Sequence, residues 1–227
     1  TGAKSYKVSI NADEMAPDLD DLIKLQGEPF GGTSIYAQYR VSKLIKEAGV
    51  TVTLDGQGGD ELLAGYSGFP GARLKSLLVQ GKVLQAWSFF NATSKWPDRN
   101  KMMVFKRLVS ALTPKQLYPL FWTIGQGSRM PNWLSSEWFE GQSVKLNVPR
   151  VEDIYTGSRY VHRALANQLT QKGLPALLRH GDRNSMHFSV ESRVPFLTKD
   201  MAEFVLNIPE EYLIANDGTT KAVFKED

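Results

Sequence analysis

Val50-Thr-Val-Thr-Leu54 runs directly into Asp55-Gly-Gln-Gly-Gly-Asp-Glu-Leu-Leu-Ala-Gly-Tyr66, and the architecture turns on these seventeen or so residues. The first five are β-branched or apolar and predict a short buried strand, while Asp60 to Tyr66 predicts the first turns of a helix. Between them lies a tight turn with glycine at 56, 58 and 59. Such a turn lets backbone N–H groups approach a ligand at a helix N-terminus, where the dipole favours anions such as phosphate. Asp60 and Glu61 in the first turn offer carboxylates to a magnesium ion that bridges phosphate oxygens. The same residues also read as a plain tight turn with Asp60 as a helix cap. The glycines match neither a Walker motif nor a dinucleotide fingerprint, so the turn alone leaves both readings open.

Upstream, Gly49 stops a helix that precedes the strand and starts at Thr33 or Ser34, with Val41, Leu44, Ile45 and Ala48 on one face. Glu28 to Ser34 is a breaker-rich loop. Before it, Asn11 caps a helix from Asp13 to about Leu25, with Asp13 and Glu14 complementing the dipole and Pro17 near its start. Ser5 to Ile10 alternates polar and apolar residues and predicts a strand. The order strand, helix, helix, strand, helix predicts an α/β fold wound on a parallel sheet, with a ligand at the carboxyl ends of its strands. Two strands do not make a stable doubly wound sheet, so the sheet reads as incomplete.

Downstream, residues 67–149 alternate between helical and irregular stretches. Helices are expected over Arg73 to Gln80, Val83 to Ser94, Lys101 to Leu112 and Lys115 to Trp122, broken by Pro97, Pro114 and Pro131. The aromatic residues Trp87, Phe89, Phe90, Phe105, Tyr118, Phe121 and Trp122 fall at helical spacing with few basic neighbours, which favours core packing over nucleic-acid stacking. Tyr160 to about Arg179 predicts a long helix with Val161, Leu165, Leu169, Leu174, Leu177 and Leu178 inward, bent or broken near Gly173-Leu-Pro175. A helix over Asp200 to Leu206, a turn at Ile208 to Tyr212 and a helix start at Gly218 to Lys225 follow.

The composition narrows the classes. With 227 residues, 42% hydrophobic and 22% charged, the chain can bury a sizeable core. A net charge of +3 and a pI near 9.0 are too small a surplus to point to nucleic acid. There is no cysteine, which removes disulfides and thiolate metal sites and fits a reducing, cytoplasmic location. No apolar run is long enough for a membrane span, and the N-terminus has no signal-peptide pattern.

Two blocks carry a resemblance. Leu54-Asp-Gly-Gln-Gly-Gly-Asp-Glu-Leu-Leu-Ala-Gly-Tyr66 resembles the SGxGxDExxGGY signature of the synthetase domain of glutamine-hydrolysing asparagine synthetases. Asp182-Arg-Asn-Ser-Met-His-Phe-Ser-Val-Glu-Ser-Arg-Val-Pro-Phe-Leu197 resembles that family's DRxxxxxxxExRVPFLD signature, and Gly218 to Lys225 its xTKxxLR segment. The resemblance implies an ATP-pyrophosphatase-type fold (adenine nucleotide alpha hydrolase-like), here incomplete, with a large mainly helical C-terminal part. It divides the chain into an α/β nucleotide-binding part over 1–66 and a helical part over 67–227. The SGGxDS loop and the N-terminal glutaminase domain of the family do not occur here, so the chain reads as a C-terminal piece of a longer protein, inactive by itself.

The chemistry implied by the resemblance is amide formation. ATP and Mg2+ adenylate a carboxylate, that of aspartate in the namesake enzymes, pyrophosphate leaves, and ammonia derived from glutamine displaces AMP. Residue by residue, Asp60 matches the metal-binding aspartate and Lys221 the lysine that stabilises pyrophosphate. Asp55, Gly56, Gly58 and Gly59 match the turn that lines the nucleotide, with Asp55 in place of the usual serine. Thr33 and Ser34 fall where the amino-acid substrate is held. Glu191 and Arg193 suggest a buried ion pair that orders their segment, or a substrate contact. His187 is expected to be a packed or surface histidine.

Three departures qualify this. Gln57 stands where many members carry an acid that assists ammonia deprotonation; glutamine orients a substrate but accepts no proton. Thr198 replaces the last aspartate of the second signature, and Lys225 the arginine of the third. Three readings follow: an asparagine synthetase domain, a related amidoligase acting on another carboxylate, or a non-enzymatic helical interaction domain. The resemblance leaves room for a homodimer and implies neither nucleic acid nor membrane as partner.

Overall fold

The computed structural model describes residues 2–95, 135–143 and 154–225, and the single positions 102, 109 and 113. In chain order the elements are α1 (Ala12–Gln26), α2 (Ser34–Glu47), β1 (Val52–Leu54), α3 (Gly59–Leu62), α4 (Phe69–Val79), α5 (Val83–Thr93), α6 (Ser136–Gly141), α7 (Tyr160–Thr170), α8 (Gly173–His187), β2 (Glu191–Arg193), α9 (Lys199–Asn207) and α10 (Glu210–Leu213), then a 3-10 turn over Ala222–Phe224. The described residues form a mixed α/β structure with one short parallel sheet. Two compact units divide it: Thr1–Tyr66 with Leu165–Pro209, and Ser67–Ala164 with Glu210–Asp227.

In the first unit β1 pairs with β2 in parallel, in the register Val52↔Glu191, Thr53↔Ser192 and Leu54↔Arg193. Parallel strands need a long crossover, and here about 140 residues separate the partners. The backbone ladder extends past both ends: Glu191 N donates to Thr51 O at 2.8 Å and Asp55 N to Arg193 O at 2.7 Å. The strand that leads into the first signature block and the strand inside the second are therefore adjacent, and both lead out at the same, carboxyl end of the sheet.

Helices α1, α2 and α8 pack together beside these strands. Leu22, Ile35, Tyr36 and Tyr39 form a buried cluster, with Leu19, Leu25, Phe30 and Phe188 against it. Each such side chain taken from water is worth about 1.5–3 kcal/mol. The tyrosine hydroxyls reach acids of α1, Tyr36 to Asp18 at 3.0 Å and Tyr39 to Asp21 at 2.6 Å. Arg40 closes the same seam, donating to Asp18 at 2.6 Å and to Glu14 at 2.8 Å. The apolar face of Val41, Leu44, Ile45 and Ala48 is not the most buried one: Val41 is 45% exposed, while Ile35, Tyr36, Tyr39 and Ser42, on another stripe of α2, are buried. Both stripes have helical spacing, and the tyrosines prevail because they combine large rings with hydroxyls that find partners.

A second knot ties α8 to both other helices. Asn184 donates to the Ile35 carbonyl at 3.1 Å and accepts from Gln26 at 2.9 Å, while Gln26 Oε1 meets His180 Nδ1 at 2.7 Å. Arg183 bonds the Gln26 carbonyl and reaches Glu28 at 2.9 Å, alongside Arg179 at 2.6 Å. Ser5 to Ile10 forms no strand. Tyr6 and Ile10 are 50% and 46% exposed, and no described strand pairs with them; an alternating pattern shows what a strand would bury, not that a partner exists.

In the second unit α4 and α5 form a helical pair. Arg73, Ser76, Leu74 and Leu77 of α4 and Phe89 and Thr93 of α5 are buried, with Val161, His162, Glu210, Leu213, Ile214 and Ala222. Trp87, expected inside, is 67% exposed and stacks on Phe90, since it lies on the outer face of a helix whose inner face is Ala86, Phe89 and Thr93. The helices expected over Lys101 to Leu112 and Lys115 to Trp122, with Phe105, Tyr118, Phe121 and Trp122, fall almost wholly outside the described residues. The long helix expected from Tyr160 to Arg179 is two, α7 and α8, broken at Gln171-Lys172 so that Pro175 falls in the first turn of α8, where proline is tolerated. Among the described residues, no helix is long and apolar enough to cross a membrane.

Candidate functional site

At the carboxyl end of the strand pair, the glycine turn leaves β1 and Val194-Pro-Phe-Leu197 leaves β2. The turn is shaped by close approach: Gly58 has φ +92°, and a Cβ there would meet Leu197 Cδ2 at 2.2 Å. Gly56 and Gly59 would meet nothing within 4 Å, so the backbone beside them is open. The helix that follows, α3, is only four residues long, shorter than the reading to Tyr66. A four-residue helix carries little dipole.

Two N–H groups of the turn are already used. Asp55 Oδ1 accepts from Gln57 N at 3.2 Å, and Gly56 O from Gly59 N at 3.2 Å. A carboxylate at the mouth of the turn opposes phosphate and suits hydroxyl or N–H donors. Gly56, Gly58 and Gly59 thus shape the approach, and Asp55 sets its polarity.

Glu61 does not share a role with Asp60. It is buried and accepts a hydrogen bond from Tyr66 Oη, an arrangement in which burial foremost, then the Glu61 contact, pushes the tyrosine hydroxyl well above its ordinary range. Among the described residues, no group of three or more His, Asp or Glu side chains is arranged to hold a metal. With Glu61 buried against Tyr66, the magnesium expectation rests on Asp60. One protein carboxylate would fit an ion whose remaining ligands are phosphates and water.

A cavity of about 180 Å3 lies beside the turn, lined by Gln38, Asp55, Gln57, Leu177, Leu178, Gly181, Asp182, Ser192 and Val194. It gathers Asp55 and Gln57 from the first block and Asp182, Ser192 and Val194 from the second. At this size it takes a small group and not a nucleotide. Among the described residues its polar lining has two carboxylates, two carboxamides and a hydroxyl, and no cation.

Of the other residues singled out in the sequence, Thr33 and Ser34 are exposed at the start of α2 and do not line the cavity; Gln38, one turn further on the face of Ser34, does. Glu191 and Arg193 do form an ion pair, Nε to Oε1 at 2.7 Å, but an exposed one, with side chains 56% and 62% accessible. As alternate residues of a strand they share a face, and that face is open. Lys221 belongs to the second unit, where it has φ +55° at the head of the 3-10 turn. His187 lies on the surface of α8 with Nε2 2.9 Å from Asp21. The sequence reading missed Gln38, Asp182 and Ser192. Asp182 and Ser192 stand inside the second signature block; Gln38 gives no signal beyond its place one turn after Ser34.

A parallel strand pair with a glycine turn and an acid-lined cavity at its carboxyl end is the arrangement of an α/β ligand-binding domain. Residues 1–226 match the asparagine synthase family, and the chain belongs to that family. Among curated proteins it is similar to the amidase chyE of Penicillium rubens, with 24% identity over 230 residues that cover 92% of this chain and 33% of that protein. The chain thus spans about a third of the length of that relative. No solved structure matches.

Proposed function

We propose that the chain is the synthetase part of an ATP-dependent amide-forming ligase with an ATP-pyrophosphatase-type fold. The observation that supports this reading is the parallel pairing of β1 with β2, which brings the glycine turn of the first signature block and Val194 to Leu197 of the second to one end of a sheet. Membership of the asparagine synthase family supports ATP as the activating substrate. In the reaction a carboxylate oxygen attacks the α-phosphorus and pyrophosphate departs; ammonia then attacks the acyl carbon, loses a proton, and AMP departs.

The chain's own residues divide this work. Asp55 and Gly56 face the nucleoside, with the Asp55 carboxylate accepting from hydroxyl groups. Asp60 would hold the magnesium ion, which would supply positive charge against the phosphates. Lys221 is the point charge that stabilises departing pyrophosphate. The cavity beside Gln57 receives the nitrogen nucleophile: its carboxylates and carboxamides accept the N–H groups of ammonia, and two carboxylates with no cation repel a carboxylate, so the acyl group lies outside it, towards Thr33 and Ser34. Ammonia comes from glutamine through a glutaminase domain elsewhere in the longer protein, which acts in the cytoplasm, and a homodimer is compatible with this arrangement.

Aspartate is the first candidate for the carboxylate. A second reading, amide formation on another carboxylate, is favoured by Gln57, which accepts no proton, and by the relative named an amidase. Pyrophosphate release by the full-length protein with Mg-ATP and ammonia, with aspartate against a carboxylate panel, decides between them. Aspartate-dependent release with asparagine as product supports the first; release needing another carboxylate supports the second. No carboxylate-dependent release sinks both and leaves a non-enzymatic domain.

A further inference from the structure

The second unit contains a buried carboxylate with no part in the chemistry above. Glu210, 3% exposed, accepts at Oε2 from Arg73 at 2.9 Å and at Oε1 from Ser76 Oγ at 2.9 Å and Val161 N at 3.0 Å. Ser76 Oγ accepts in turn from Tyr160 N at 2.7 Å, and His162 Nδ1 stands 3.6 Å from Glu210 Oε1. One side chain thus collects α4, the opening N–H groups of α7, and α10. Burying a carboxylate is costly unless its lone pairs are filled, and here hydroxyl, backbone and guanidinium donors fill them.

What hangs from this carboxylate is the segment that carries Lys221. Glu210 opens α10, and its own carbonyl accepts from Ile214 N at 2.9 Å. Ile214, fully buried, forms an antiparallel bridge with Thr220. Between them Ala215 N donates to Thr219 O, and Gly218 N to Ala215 O, both at 2.9 Å. Asp217 accepts from Thr219 N at 2.8 Å and Thr219 Oγ1 at 2.9 Å. Gly218, at φ +90°, lies so close to α5 that a Cβ would meet Thr93 Cγ2 at 2.3 Å. Lys221 follows directly in a left-handed conformation, φ +55°, which a non-glycine residue keeps only where neighbours enforce it.

We propose that Glu210 is a positioning residue for Lys221: the Glu210, Arg73 and Ser76 cluster fixes the root of the 214–220 hairpin and so the direction of the lysine that follows its closing residue, Thr220. The inference rests on the reading of Lys221 as the pyrophosphate-stabilising charge. The hairpin is short, pinned at its root by Glu210 and Ile214 and at its tip by Gly218 against Thr93. Freeing the root lets the Ile214–Thr220 bridge shift about the pinned tip, and the point charge beside that bridge loses its aim before the unit loses its core.

The test is a double-mutant cycle in the full-length protein, read by carboxylate-dependent pyrophosphate release and by amide hydrogen exchange. Lys221→Ala is expected to slow release about 100-fold, as for loss of one preorganised charge donor, and Glu210→Gln about tenfold with KM for the carboxylate unchanged. In the Lys221→Ala background Glu210→Gln is expected to add nothing, because it acts through the lysine. Exchange at Ala215 and Gly218 rises in Glu210→Gln while α4 keeps its protection. An unaffected Lys221→Ala enzyme overturns the lysine reading and the inference with it. A slow Lys221→Ala with an unaffected Glu210→Gln overturns the inference alone, as does an equal Glu210→Gln loss in both backgrounds. If Glu210→Gln does not fold, Ser76→Ala, which removes one donor to Glu210, takes its place in the same cycle.

Discussion

A Cβ at Gly58 would lie 2.2 Å from Leu197 Cδ2 and 2.5 Å from its Cγ, so the two signature blocks touch at a point that admits only glycine. Gly58→Ala therefore meets two obstacles, a displaced leucine and φ +92°, and is expected to destabilise the protein by about 2–4 kcal/mol in chemical denaturation. Adding Leu197→Ala relieves the steric part only. The double variant should keep the backbone cost of about 1–2 kcal/mol plus that of the lost leucine, and full recovery would show that φ is not binding here.

Asp18 is almost wholly buried, which opposes its ionisation, but hydrogen bonds from Arg40 and Tyr36 and the charge of Lys43 outweigh this and hold its carboxyl below the usual value of 3.8. A depressed folded pKa adds stability that is present in full above the unfolded value and is lost as pH falls through the folded one. Acid unfolding should accordingly steepen below about pH 4. Asp18→Asn should flatten that limb and cost about 3 kcal/mol at pH 7, because it leaves Arg40 buried with only Glu14 as partner. A pH profile parallel to that of the unmodified protein would count against the pair.

Asn184→Ala should cost about 1–3 kcal/mol, since it removes the amide that bonds the Ile35 carbonyl and Gln38 and the oxygen that accepts from Gln26, whose own amide keeps only the His180 carbonyl at 3.3 Å. Asn184→Asp sets a buried carboxylate against the Ile35 and Gln38 oxygens and should cost at least as much at neutral pH. Urea midpoints at constant m-value are the measurement.

Gln57 lines the cavity assigned to the nitrogen nucleophile. Gln57→Ala is expected to lower amide yield per pyrophosphate released about tenfold, the value of one orienting hydrogen bond, with pyrophosphate release itself nearly unchanged. A parallel fall in both rates would place Gln57 at the activation step instead.

Much of the first unit is legible in the amino-acid sequence. Five β-branched or apolar residues announce β1, and Gly49 and the Thr33-Ser34 pair bracket α2 within a residue or two. The Glu191 and Arg193 pairing is legible too, because alternate residues of a strand share a face. Its exposure is not, since a strand pattern does not say what covers it. Pattern alone does not say which stripe of α2 is buried and makes a strand of Ser5 to Ile10, because periodicity records what can be buried and not which partner arrives. No local signal in 50–54 points to residue 191, so the pairing of β1 with β2 lies beyond pattern altogether. Least legible is Glu210, one acid in a run of two, whose burial depends on an arginine, a serine and a backbone N–H from two distant stretches.

The parallel ladder between Val52 and Glu191 also sets a timetable. On a ribosome adding about 5–20 residues per second, β1 emerges roughly 7–30 s before its partner. During that interval Val52 and Leu54 lack their β2 partners, and a second nascent chain offers the same open edge. The second unit's first stretch is synthesised within that interval. Expression yield should therefore respond to translation speed across residues 67–190, a coding-level sensitivity imposed by the order in which two three-residue strands are made.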